Sequence, residues 1–338
     1  MDPMGREQLD RRAVEFAGPQ SVRVVEETVE VAPDELVVAT ERSAISAGTE
    51  LLVYRGEVPK EMSADTTIDV LDGNLRYPLR YGYAGVGRVV GQGADVPESW
   101  RGERVFSFHP HATHMLVPPD AIVPLPDELD AEQACMLPSV ETALAIVQDA
   151  RPEIGARVAV FGAGVIGVMT SMLLAMMPLV EVVVIDPAAE RRAAAGALDG
   201  VAAVHPEAMA DAEPRFDLGF ELSGNPAALD QCISLMRYDG EVVVGSWYGT
   251  KQAQLDLGMR YHRNHISVRS SQVSTVPPQL RGRWTKDRRL EAALEAVGQL
   301  PLRSLITHRI PLDEVPDAYA RLAQGDHEML QVLLTYDT

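Results

Sequence analysis

The chain has 338 residues, 46% of them hydrophobic, and a formal charge of −19 at pH 7. That length and apolar content suit about two full cores rather than a disordered chain. The acid excess argues against nucleic acid or an anionic membrane as partner, because a polyanion would be repelled over most of the surface.

The lysines are Lys60, Lys251 and Lys286, and scarce lysine with excess acid fits a salt-adapted surface or an arginine-biased genome equally well. The N-terminal MDPMGREQLDRRAVEF is charged and lacks the apolar core of a signal peptide, so a cytoplasmic location is expected. Alternating runs at 22–31, 35–45, 85–90 and 103–108 read as strands separated by Pro and Gly turns. Residues 130–150, DAEQACMLPSVETALAIVQDA, have helical periodicity interrupted at Pro138. Cys135 and Cys232 show no paired spacing, so neither a disulfide framework nor a Cys-rich metal site is expected.

Residues 158–186, VAVFGAGVIGVMTSMLLAMMPLVEVVVID, read as a strand, a Gly-x-Gly-x-x-Gly turn, an apolar helix and a second strand ending on an acid. Positions 158–180 carry no charge and could span a bilayer by length, but three glycines and Pro178 would interrupt such a helix, and 182–185 restarts as a β-branched run. In this context the glycines have a job: a tight turn brings backbone N–H groups to a pyrophosphate at the helix N-terminus. Gly162, Ala163, Gly164, Val165, Ile166 and Gly167 are therefore expected to bind a dinucleotide. Asp186, 24 positions after Gly162, is spaced to accept from the ribose hydroxyls and would repel a 2′-phosphate, which favours NAD over NADP. Arg191 and Arg192 keep NADP open.

A strand at 216–222 then runs into the Ser223-Gly224-Asn225-Pro226 turn, with a helix from about Ala227. The Asp239-Gly240 turn leads to a strand at 241–244 ending at Gly245-Ser246. Ser223, Gly224, Gly245 and Ser246 would lie at strand carboxyl ends on the nicotinamide side. Beyond Val273 the pattern gives an amphipathic helix at 287–298, a strand at 304–310, a helix at 316–323 and a closing strand at 329–336.

This order resembles the medium-chain dehydrogenase/reductase superfamily over nearly the whole chain. The carriers are SAISAGTELLVYRGEVP at 43–59, YGYAGVGRVVGQG at 81–93, GERVFSF at 102–108, the glycine turn, DLGFELSGNPAAL at 217–229 and LITHRIPLDEVPDAYARL at 305–322. SAISAGTE, the Gly-Tyr pair at 82–83 and the 270–289 segment resemble the branch of bacteriochlorophyllide dehydrogenase, although Ala84 replaces an acid often found there. The resemblance implies an α/β chain in which a Rossmann doubly wound parallel sheet is inserted between segments of a GroES-like β-barrel catalytic domain. The implied divisions are 1–147, 148–275 and 276–338, and a homodimer is implied by family habit.

Zinc members of the superfamily carry Cys-Gly-Thr-Asp, Gly-His-Glu and a further Cys or Glu. Here those places read Ala47-Gly48-Thr49-Glu50, Gly82-Tyr83-Ala84 and Met136-Leu137-Pro138, and no four-cysteine lobe is present. A zinc-independent member without a bound metal is implied. Thr49 keeps the family's proton-passing hydroxyl, but the histidine that follows it in zinc relatives is Leu52 here. Tyr83 could donate to a substrate carbonyl or be a packed barrel tyrosine; Glu50 could act as acid or base, or support the site. His109, His111 and His114 form one cluster, with His109 and His111 expected to line the substrate together with Tyr54 and Trp284. The expected reaction is NAD(H)-dependent hydride transfer to or from a small carbonyl, secondary alcohol or activated alkene. The alternatives are an NADPH-dependent quinone or enone reductase and a non-catalytic dinucleotide-binding protein.

Overall fold

The computed structural model describes residues 7–59 and 74–337. Lys60 and the first six residues of the N-terminal stretch lie outside them. The chain divides into two units, one running to Pro138 and resuming at Pro301, the other Ser139–Leu300.

The first unit opens with β1 (Gln8–Gly18) and β2 (Ser21–Glu30), an antiparallel hairpin. The charged N-terminal stretch is thus mostly a strand. Its arginines pair across the hairpin, Arg11 with Glu27 at 2.9 Å and Arg23 with Glu15 at 2.6 Å, while Val14 and Phe16 point inward. β3 (Leu36–Ile45) leads to α1 (Ala47–Arg55), a helix that the AGTE segment did not announce. Gly56, at φ +72, ends α1 in the left-handed region that suits glycine. Next come β4 (Gly85–Gln92), β5 (Arg104–Ser107), β6 (His114–Val117) and β7 (Ile122–Pro124). Then follow α2 (Ala131–Ala134) and α3 (Leu137–Ala150). Pro138 does not interrupt a helix as expected. It sits in the first turn of α3, where its missing N–H costs nothing, and the break falls at Cys135 and Met136.

The second unit contains β8 (Arg157–Phe161), α4 (Val165–Ala175), β9 (Glu181–Ile185), α5 (Ala189–Gly196) and β10 (Val201–Val204). It continues with β11 (Phe216–Glu221), α6 (Pro226–Leu235), β12 (Met236–Val244), β13 (Ser267–Ser270) and α7 (Lys286–Gln299). Its six strands run parallel in the order β10-β9-β8-β11-β12-β13. This is the expected doubly wound sheet, and its order reverses between β8 and β11, where such sheets bind ligands. Phe161, Phe216 and Phe220 are fully buried here, each worth about 2–3 kcal/mol of transfer free energy. No helix among the described residues is long and apolar enough to cross a membrane; α4 spans only 11 residues.

The chain re-enters the first unit through β14 (Ile306–Pro311), α8 (Val315–Ala323) and β15 (Gln331–Thr335). β15 pairs antiparallel with β3 and parallel with β14, closing a seven-stranded sheet that runs β14-β15-β3-β4-β5-β7, with β6 on β3. The units divide at 138 and 300, not at the expected 147 and 275. Buried Arg289 on α7 explains the later return, since its guanidinium donates to Glu141 at 3.1 Å and to the carbonyls of Thr275 and Val273. Burial raises the Glu141 carboxyl even though Arg289 opposes the shift.

Candidate functional site

In the second unit, β8 ends at Gly162, whose φ is +101. A Cβ there would approach the Leu222 carbonyl to 2.8 Å, so the turn beside the end of β11 needs glycine. Gly167 presses α4 against the same turn, and a Cβ on it would come 1.9 Å from the Gly162 oxygen. Gly164 differs. It caps α4 with φ −71, and a Cβ would meet nothing within 4 Å among the described residues. No side chain caps the helix, so the first-turn N–H groups at Val165, Ile166 and Gly167 and the helix dipole favour an anion in that space. These residues fit a dinucleotide pyrophosphate. The Ala163 amide is already committed, donating to Asp186 Oδ2 at 2.8 Å.

Asp186 is buried at the end of β9, and its other oxygen accepts from Ala188 N at 2.8 Å. The carboxylate therefore braces the glycine turn against the β9–α5 turn while keeping lone pairs for a ribose hydroxyl. Arg192 donates to the Asp186 and Pro187 carbonyls at 2.8 Å each. Arg191 is half-buried, and its Nε has no partner among the described residues.

Ser223, Gly224 and Ser246 gather around a residue the sequence reading passed over. Glu221, fully buried at the end of β11, accepts from Ser223 N at 2.8 Å, Gly224 N at 3.1 Å and Tyr248 Oη at 2.7 Å. Burial, then the Glu221 charge, pushes the Tyr248 phenol up, so it remains a donor. Ser246 Oγ accepts from Gly224 N at 2.9 Å, and Gly245 packs its Cα against Leu222 and Ile146. The available signal was an acid inside the apolar run GFEL, since a buried carboxylate requires donors.

In the first unit, α1 and the strand ends assemble a cluster of hydroxyls and one carboxylate. Tyr83 Oη donates to Ser46 Oγ and lies 3.5 Å from Thr49 Oγ1. Glu50 has no exposed area; Oε1 accepts from Ser46 N at 2.7 Å, and Oε2 meets Tyr319 Oη and, at 3.1 Å, His111 Nε2. His111 Nδ1 lies 2.7 Å from Ser43 Oγ, which is 2.6 Å from Tyr336 Oη. Gly82 makes room for this imidazole: at φ +108, a Cβ would stand 2.6 Å from the ring. Tyr54 stacks on Tyr319 at 5.7 Å, and Phe16 meets Tyr319 edge-on at 5.2 Å, which keeps the carboxylate dry. Burial and the Glu50 charge push the Tyr319 phenol well up.

The three histidines do not converge. His109 is buried with Nδ1 2.7 Å from the Pro110 carbonyl, His111 joins Glu50, and His114 on β6 turns to Thr113 Oγ1 at 3.2 Å. Burial first, then Arg11, lowers His114; burial lowers His109 to about 4. His109, His111 and Tyr54 are therefore internal rather than open lining residues, because each is held by packing or bonds inside the first unit. Trp284 belongs to the second unit, half-buried with the Arg288 guanidinium 4.5 Å above its ring. No group of three or more His, Cys, Asp or Glu among the described residues could hold a metal ion. Ala47, Tyr83 and buried Met136, the residues that the resemblance matches to the ligands of zinc relatives, offer a methyl, a phenol and a thioether, which is not a zinc donor set. Ser43, Tyr319 and Tyr336 were not singled out beforehand. Only Tyr319 carried a signal, a hydroxyl on the apolar stripe Val315, Ala318, Tyr319 and Leu322 of α8.

Residues 165–296 match the family model described as zinc-binding dehydrogenase. The chain is 27% identical to 2-desacetyl-2-hydroxyethyl bacteriochlorophyllide A dehydrogenase of Cereibacter sphaeroides, covering 96% of this chain and 98% of that protein. Among solved structures it resembles L-idonate 5-dehydrogenase of Escherichia coli, with a TM-score of 0.78 and 19% identity over 98% of this chain and 99% of that one. An E. coli alcohol dehydrogenase complexed with NADH aligns with a TM-score of 0.75 and 17% identity, covering 96% and 99%. The fold is that of the alcohol dehydrogenase-like medium-chain enzymes.

Proposed function

With that fold and the match over its dinucleotide unit as premise, we propose that the chain is a zinc-independent medium-chain dehydrogenase/reductase. It would move hydride between NAD(H) and a carbonyl or secondary alcohol. The observation that carries this reading is the Tyr83 phenol grouped with the hydroxyls of Ser46 and Thr49, at the position that the resemblance matches to a histidine ligand of zinc relatives. A dinucleotide held at the glycine turn would supply or accept the hydride. The chain's own work is then to bind the pyrophosphate at Gly164–Gly167, to hold the adenosine ribose at Asp186, and to hold a donor toward the substrate oxygen. A preorganised phenol stabilises charge developing on that oxygen and can give it a proton. The name of the Cereibacter relative specifies a hydroxyethyl group, which supports a secondary alcohol as substrate class.

Chelator-treated protein should remain active, and Tyr83→Phe should lower kcat about 100-fold with unchanged NADH affinity. Stoichiometric zinc lost together with activity would overturn the metal-free reading. Tight NADH binding without turnover over a panel of alcohols, ketones and enones would favour a binding protein instead. One observation favours the second enzymatic reading, an NADPH-dependent enone reductase: the unpartnered Nε of Arg191 near the ribose end of the site. The edge position of β13 would suit strand pairing with a second copy of the chain, and sedimentation would check for that homodimer.

A further inference from the structure

Glu50 and His111 have no exposed side-chain area, so neither can exchange a proton directly with water. A path leads out nonetheless. From Glu50 Oε2 it passes to His111 Nε2 at 3.1 Å, from His111 Nδ1 to Ser43 Oγ at 2.7 Å, and from Ser43 Oγ to Tyr336 Oη at 2.6 Å. Tyr336 follows β15 and borders a cavity of about 560 Å³ shared with Arg42, Arg104, Glu132 and Arg303. Imidazole and hydroxyl groups can each give and take a proton, so every link is able to conduct.

The path has two self-consistent arrangements. With Glu50 ionised, Tyr336 donates to Ser43, Ser43 to His111 Nδ1, and His111 Nε2–H to Glu50. With Glu50 protonated, Glu50 donates to His111 Nε2, Nδ1–H to Ser43, and Ser43 to Tyr336. One proton entering at Tyr336 converts the first into the second as each O–H or N–H bond breaks and the next forms. No heavy atom has to move. The surroundings do not compete. Tyr319 and Tyr336 are raised by burial, the buried Cys135 thiol near Tyr336 is pushed up by burial, and His109 stays neutral down to about 4. Tyr83 and Tyr54 are further titratable groups beside Tyr319.

We propose that Tyr336, Ser43, His111 and Glu50 form a proton wire that lets the sealed Glu50 carboxyl exchange its proton with the cavity, so that it offsets the charge left on Tyr83 during the reaction. Reduction of a carbonyl by NADH consumes one proton: hydride joins carbon, and the oxygen takes the proton of Tyr83. Tyr83, left as a phenolate, regains a proton from water on the substrate side, and until it does the proton that Glu50 takes from the cavity through the wire offsets its charge; oxidation runs the sequence backward. Ser46 couples the two charges without carrying the proton, since its N–H holds Glu50 and its Oγ accepts from Tyr83. The proposal rests on the dehydrogenase reading.

The test is a pH jump followed by infrared spectroscopy, with the Glu50 carboxyl band assigned by its loss in Glu50→Gln. Ser43→Ala and Tyr336→Phe should each slow the band's response about tenfold or more, and Ser43→Thr should restore it. Equal rates in wild type and both blocked variants, or a wild-type band that ignores the jump, would overturn the wire. This readout needs no substrate, so failure of the dehydrogenase reading would appear separately, as lack of turnover on any substrate. Where turnover is measurable, Ser43→Ala should lower kcat and change the solvent deuterium isotope effect at constant KM. A purely structural role would shift Tm and leave the isotope effect alone.

Discussion

The two units build their sites from very different spans of chain. In the second, Gly162 to Asp186 supply the turn, the helix end and the acid within one β-α-β step, and the fit comes from backbone geometry. In the first, Tyr336 reaches Ser43 across 293 positions and Tyr319 reaches Glu50 across 269, and the fit comes from side chains meeting in a dry interior. A local site can form whenever its own turn folds. A dispersed one exists only when the whole unit is closed, so it is tied to global stability.

Glu50→Ala tests that difference most severely. It strands the Ser46 amide, the Tyr319 hydroxyl and His111 in a sealed space, and should cost about 4 kcal/mol in urea unfolding. Gly167→Ala is the matching insult to the local site. Its Cβ would strike the Gly162 carbonyl, and a loss of about 3 kcal/mol with no measurable NADH binding is expected. Gly164→Ala should part the two effects, leaving the unfolding midpoint unchanged while NADH affinity falls about tenfold in a fluorescence titration, near 1.4 kcal/mol.

Acid should affect the first unit through His109. Its folded pKa of about 4 lies below the ordinary 6.5, so between these values the unfolded chain binds a proton that the folded chain refuses. Stability is then full above pH 6.5 and falls on acidification toward pH 4, by about 1 kcal/mol from pH 6 to 5, and His109→Gln should flatten that slope in denaturation curves. The smallest effect is expected at Asp186. Because it braces two backbone amides, Asp186→Ser should weaken NAD and NADP binding together while shifting their ratio a few-fold toward NADP. An unchanged ratio would assign the selection to Arg191.

The same contrast governs what could be read from the chain alone. The parallel sheet was legible because its strands are apolar runs bounded by Gly and Asp turns, and the glycine turn because steric demands leave glycine no substitute at 162 and 167. β1 was hidden because its outward face is arginine and acid, whose pairing depends on β2. The spacing of His109, His111 and His114 was visible, but their directions were not: their outward or inward facing is set by β1, whose Val14 amide holds the His111 carbonyl at 2.9 Å. Glu50 was named, yet its partners Tyr319 and His111 lie on segments that only the fold brings to α1.

Gly82 gives the first unit a genetic consequence. Since even a methyl at this position would overlap the His111 ring, positions 82 and 111 are coupled in any mutational path. Giving up the imidazole would lift the overlap but not the backbone strain of a side chain at φ +108, while restoring the imidazole requires glycine. Double substitutions at this pair should therefore cost less than the sum of the single ones, and a library varying both would keep glycine at 82 throughout but lose its few exceptions wherever His111 is retained.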